Sequence, residues 1–149
     1  VAHPVGGGYG YTLMHAAQCW RTEATAALEP YDLTVPQFLV MMALYRQYRH
    51  DWPPLTQAEV STRLGMDANT TSQVARALER RGLLARSPHA HDARARALAL
   101  TDLGIVRSRD ASAAARAHND RFFSAIDPAQ LDTLATLLET LSTASEHRS

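Results

Sequence analysis

Apolar residues recur at helical spacing along most of this chain, and two short stretches break that rhythm. From Tyr11 onward, Leu13, Ala17, Trp20, Ala24 and Ala27 lie three or four positions apart with polar residues between them, which predicts a helix ended by Pro30. Thr34-Val-Pro-Gln37 opens a second helix: threonine caps, proline fits the first turn, and glutamine takes the capping-box position. Phe38 to Tyr45 is apolar all round, the mark of a buried helix. Arg46 to Pro54 then reads as a polar, proline-ended connection.

Thr56-Gln-Ala-Glu59 is another capping box, starting a short helix to Leu64. Gly65 supplies a turn, Asp67 caps a further helix to Arg81, and Gly82 ends it. The rhythm breaks at Leu83–Ser87 and Arg96–Leu100, two extended runs separated by the polar stretch Pro88–Ala95. Thr101 caps a long helix reaching Ile126, and Asp127-Pro128 restarts the chain. Leu131, Leu134, Leu138 and Leu141 form an a/d-like stripe on the last helix.

The predicted architecture is therefore mainly α with a small β-hairpin wing: a winged helix-turn-helix flanked by N- and C-terminal dimerisation helices. Residues 1–10, with Gly6-Gly7-Gly8, read as a flexible start. Residues 11–45 form the N-terminal helices, 55–101 the DNA-binding lobe, and 102–145 the C-terminal helices.

Composition supports a folded core, since 46% of the residues are apolar. No stretch is apolar for long enough to span a bilayer, and Val1 to Gly8 lacks the basic start and apolar run of a signal peptide. The single cysteine, Cys19, excludes an internal disulfide and suits a reducing cytoplasm. Net charge is zero, but its placement is uneven. Residues 56–97 carry seven arginines against four acids, leaving eight against eleven elsewhere. A basic middle between acidic ends fits a DNA reader with separate dimerisation helices.

The helix from Asp67 divides into two faces. Thr71, Val74, Ala75 and Leu78 are spaced to pack on the core, and Asn69, Thr70, Ser72, Gln73 and Arg76 point outward. Amides pair with adenine edges, arginine with guanine, and hydroxyls with bases or phosphates. A solvated helix face would instead carry Glu and Lys pairs, and this one has neither. The hairpin adds Arg86, His89, Arg94 and Arg96, with Asp92 spaced to hold Arg94 by a charge-assisted hydrogen bond. An arginine at a hairpin tip fits the negative potential of a narrow minor groove.

Four segments resemble the multiple-antibiotic-resistance regulator (MarR) family, over about Tyr11 to Leu141. They are Leu33-Thr-Val-Pro-Gln-Phe38, Leu78-Glu-Arg-Arg-Gly-Leu83, Asp92-Ala-Arg94 and Leu100-Thr-Asp-Leu-Gly104. The resemblance implies a bacterial homodimeric transcription factor on a pseudo-palindromic duplex operator, a repressor released by a small, often aromatic, effector. Ala93 departs from the family, which often has arginine there.

Other readings are weaker. The redox-sensing members place their cysteine earlier in the first helix, so Cys19 is expected to be a small buried hydrophobe. His89, His91 and Asp92 could ligate zinc, but a loop with no supporting shell is a poor site, and the long helix has only His118 where zinc-sensing members have a histidine pair. No metal or cofactor is expected. Tyr11, His15, Trp20, Met41 and Tyr45 are candidates for an effector pocket, against the plainer reading of core side chains. No phosphate loop, nucleophile elbow or metalloprotease helix supports an enzyme. A winged helix used only for protein contacts is the other class, disfavoured by the lack of an acidic or apolar outer face on the Asp67 helix.

Overall fold

The computed structural model describes residues 8–88 and 96–146. Helix α1 (Gly8–Leu28) leads through a 3-10 turn (Glu29–Tyr31) into α2 (Val35–His50). Strand β1 (Leu55–Thr56) runs directly into α3 (Gln57–Leu64), and α4 (Ala68–Arg80) follows. Strands β2 (Leu84–Pro88) and β3 (Arg96–Leu100) precede α5 (Asp102–Phe122), a second 3-10 turn (Phe123–Ala125) and α6 (Pro128–Glu146). The winged helix-turn-helix with terminal helices, expected from the pattern, is the observed fold.

Both capping boxes form as expected. At α2 the Thr34 side chain accepts from the Gln37 N–H, and Gln37 Oε1 accepts from the Thr34 N–H at 3.1 Å. At α3 the Glu59 carboxylate accepts from the Thr56 N–H at 2.7 Å. These reciprocal bonds satisfy amides that a helix start leaves without partners.

The sheet is antiparallel with β3 in the middle, in the order β1-β3-β2. Leu55 pairs with Leu98, Leu84 with Leu100, and Pro88 with Arg96. Strand β1 is absent from the sequence reading because two residues are too few to show alternation.

Three boundaries differ from expectation by more than one residue. Helix α1 begins at Gly8 rather than Tyr11. Helix α2 continues to His50, so most of the supposed connection 46–54 is helical: Gln47 is buried on its inner face, and the turn comes at Asp51, in the left-handed region at φ 52°. Pro53 and Pro54 then forbid further helix. Helix α5 stops at Phe122 and tightens into a 3-10 turn instead of running to Ile126.

The chain forms two units, Val1–Arg116 and Ala117–Ser149, with the division inside α5. In the first, α2 contributes Val40, Met41 and Leu44 to a core shared with Leu28, Leu55, Val60, Ala75, Leu78, Leu83 and Leu98. Burying a side chain of this size stabilises by about 1.5–3 kcal/mol. The second unit contains an apolar groove of about 550 Å³ lined by Phe123, Ile126, Pro128, Leu131, Leu134 and Leu138, among others. Among the described residues, no helix is long and apolar enough to cross a membrane.

Candidate nucleic-acid interface

Helix α4 is set in place from both ends. At its start Asp67 is the N-cap: Oδ1 accepts the Thr70 N–H at 2.8 Å, and Oδ2 accepts the Thr70 hydroxyl at 2.5 Å. The Thr70 hydroxyl, then its amide, hold the Asp67 carboxyl below its ordinary pKa. The preceding turn is fixed by Gly65, at φ 58°, and by the Ser61 hydroxyl donating to the Met66 carbonyl. A left-handed residue there lets α3 and α4 meet with almost no linker, and glycine adopts it without steric cost.

At the far end of α4, the Arg81 guanidinium donates to Asp32 Oδ2 at 2.9 Å and to Gln37 Oε1 at 3.3 Å. Gln37 is thus the capping residue of α2 and also an anchor for the exit of α4. Asp32 sits in the left-handed region at φ 53°, which turns its carboxylate toward that exit. The sequence reading missed this contact, because a partner 49 residues away leaves no local signal.

Between these fixed ends the two expected faces are observed. Thr71, Ala75 and Leu78 are buried, Val74 is half-buried, and the Thr71 hydroxyl donates to the Asp67 carbonyl at 3.0 Å. Asn69, Gln73 and Arg76 are exposed; Thr70 and Ser72 are half-buried. A groove of about 440 Å³ runs along this face, lined by Thr70, Gln73, Arg76 and Arg80 of α4 and by Thr34, Pro36 and Gln37 from the start of α2. Exposed Arg63 on α3 adds positive charge. Amides, guanidinium groups and hydroxyls on this outer face can bond to base edges, and those with a free N–H or O–H can also donate to phosphate oxygens.

The wing is described in part. Arg96 is exposed at the open end of β3, opposite Pro88. Arg86 is not displayed as the sequence reading expected. Its Nε lies 3.1 Å from Glu79 Oε2, and its Nη1 donates to Gln57 Oε1 at 3.2 Å. With a side chain only 20% exposed, Arg86 braces β2 against α3 and α4, which takes it from the set of free DNA-facing cations. His89, Asp92 and Arg94 lie outside the described residues.

The effector candidates are spread over different environments. Tyr11 and His15 stack at 6.2 Å on the exposed side of α1, and Trp20 and Tyr45 are half-buried. Met41 is wholly enclosed by the core, so it presents no surface to a ligand. Cys19 is exposed, not buried as expected, with Sγ 3.9 Å from His15 Nδ1. The residues of α1 up to Cys19 are exposed, whereas Ala24 and Leu28 further along are buried. Among the described residues, no three His, Cys, Asp or Glu side chains are grouped to hold a metal ion.

A family model described as MarR family matches residues 31–95. In sequence the chain is 29% identical to the HTH-type transcriptional repressor Rv2887 of Mycobacterium tuberculosis over 132 residues, 89% of this chain and 91% of that protein. In fold it is similar to the transcriptional repressor CouR bound to a 23-mer DNA duplex. The TM-score is 0.80 and the identity 29%, over 90% of this chain and 92% of that one. CouR from Rhodococcus jostii RHA1 bound to p-coumaroyl-CoA superposes with a TM-score of 0.80 at 24% identity, over 89% and 90% of the two chains.

Proposed function

This chain belongs to the MarR family of winged helix-turn-helix transcriptional regulators, a non-enzymatic family, and on that premise we propose that it is a homodimeric repressor reading duplex DNA with α4. The observation that carries the reading is the polarity of that helix. Its inner face is sealed into the core, and Asn69 and Gln73 project from its N-terminal half, the end that a recognition helix puts against base edges, with Arg76 exposed on the same face three residues after Gln73. Thr70 and Ser72 flank them. Arg96 supplies a wing contact to phosphate or the minor groove, a role we also propose for His89 and Arg94, with Asp92 proposed as the support of Arg94. Arg86 serves by bracing the wing.

The dimer is the natural occupant of the apolar groove beside α6, where Leu137, Leu138 and Leu141 are all exposed in the single chain. Exposed Leu13 and Met14 on α1 form a second uncovered apolar surface. A two-fold axis would place two copies of α4 on successive major grooves, with half-sites about 10 base pairs apart. The compartment is the one that holds the chromosome, the cytoplasm.

A small aromatic effector is the signal we propose, by extension from CouR, which has p-coumaroyl-CoA bound in one of its structures. Tyr11, His15, Trp20 and Tyr45 are the side chains we assign to it. The test is footprinting on a sequence selected from a randomised duplex pool. Two symmetric protected half-sites support the proposal, and a single asymmetric patch or uniform weak protection contradicts it.

A further inference from the structure

Thr70 differs from every other polar side chain on the outer face of α4, because its only hydroxyl proton is already committed. The Asp67 carboxylate is ionised near neutral pH and can only accept, so the 2.5 Å contact between Thr70 Oγ1 and Asp67 Oδ2 fixes the direction of the bond: the threonine donates. The amide of the same residue donates to Oδ1 at 2.8 Å, which locks the carboxylate in plane against the helix start. What remains on Oγ1 is lone pairs. Thr71 next to it is turned into the core, whereas Thr70 lines the groove shared with Gln73 and Arg76.

An acceptor-only oxygen makes a restricted set of contacts with DNA. It cannot donate to a phosphate, to guanine O6 or to thymine O4. In the major groove it can accept only from the exocyclic amines, N6 of adenine or N4 of cytosine. We propose that Thr70 is a specificity-determining contact that selects an amino-bearing base at one position of each half-site, and that Asp67 is the positioning residue that imposes this polarity. The inference rests on the reading of α4 as the recognition helix.

The geometry supplies its own reversal. In Asp67→Asn the amide oxygen is kept by the Thr70 N–H, because that bond needs an acceptor and asparagine caps as well as aspartate. The side-chain NH2 then faces Thr70 Oγ1 and donates to it. The threonine proton is released toward the groove, and the residue becomes a donor that suits guanine O6 or thymine O4. One nearly isosteric change therefore turns an amino preference into a keto preference.

The experiment is selection from a randomised duplex pool at one salt concentration, with the unmodified protein, Thr70→Val and Asp67→Asn. The unmodified protein should favour adenine or cytosine at one position of each half-site by about threefold to tenfold, the range of one neutral hydrogen bond. Thr70→Val should flatten that position alone, and Asp67→Asn should turn it to guanine or thymine. The proposal is overturned if the position sensitive to Thr70→Val carries guanine or thymine in the unmodified selection. It is equally overturned if no position responds to Thr70→Val, or if Asp67→Asn leaves the preference as it was. An unmodified protein that enriches no sequence at all contradicts the broader reading of α4 instead, which separates the two failures.

Discussion

The Arg81 guanidinium and the Asp32 carboxylate meet at 2.9 Å, joining the exit of α4 to the turn between α1 and α2. Asp32 is 89% exposed, so water screens the pair, and its direct contribution to stability is small despite the close approach. The expected coupling energy in a double-mutant cycle of Asp32→Ala and Arg81→Ala, measured by urea denaturation, is at most about 1 kcal/mol, falling with added salt. A salt-independent coupling above about 2 kcal/mol would show that the contact is far better shielded than this geometry allows.

Asp67 gives a pH dependence with a definite sign. Its folded pKa is depressed, first by the Thr70 hydroxyl and then by the Thr70 amide, so its contribution is fully present above the unfolded value and is lost as pH falls through the folded one. Thermal unfolding of the unmodified protein and of Asp67→Ala should differ by a constant amount from neutral pH down to about pH 4, and the gap should narrow below that. A gap that widens on acidification contradicts the assignment.

Gly104 is buried against the carbonyl of Leu83, and an added Cβ would overlap that oxygen and lie 3.0 Å from the carbonyl carbon. Backbone cannot yield as a side-chain tip can, so Gly104→Ala must separate α5 from the start of the wing. The expected cost is about 3 kcal/mol or more in chemical denaturation. Gly10→Ala is the matched control. Nothing lies within 4 Å of a Cβ there, so that change should be neutral or stabilise α1 by up to about 1 kcal/mol. Equal effects at the two sites would rule out the clash.

Leu138 lines the apolar groove and is 38% exposed in the single chain. If a second copy covers it, Leu138→Glu places an unpaired charge in that seam and weakens association by several kcal/mol. Light scattering should then report a dimer for the unmodified protein and a monomer for the variant at micromolar concentration. A folded monomer before substitution contradicts the dimer.

The parts of this fold that were legible in the sequence are those written in neighbouring residues. Thr34 with Gln37 and Thr56 with Glu59 mark helix starts through contacts three residues apart, Asp67 and Gly82 stand at the start and just past the end of α4, and the Thr71/Ala75/Leu78 spacing fixes which side of α4 faces outward. What stayed hidden depends on distant partners. Arg86 has the same local appearance as a wing cation, and only Glu79 and Gln57, brought to it by the fold, turn it inward. Likewise, α2 outlasts its apolar run because Gln47 finds a buried place that its polarity alone would not suggest.

The claim on which the whole account depends is that α4 reads sequence, and titration of Gln73→Ala and Arg76→Ala against a selected operator and a scrambled duplex tests it most directly. Each side chain is exposed on the groove-lining face, so each variant should lose about 1–3 kcal/mol on the operator and relax the preference at one position of each half-site. Binding to the scrambled duplex should change less for Gln73→Ala than for Arg76→Ala, which also removes a charge near the phosphates. If both variants keep the full discrimination between the two duplexes, α4 does not read bases, and the account is contradicted even if the protein still binds DNA.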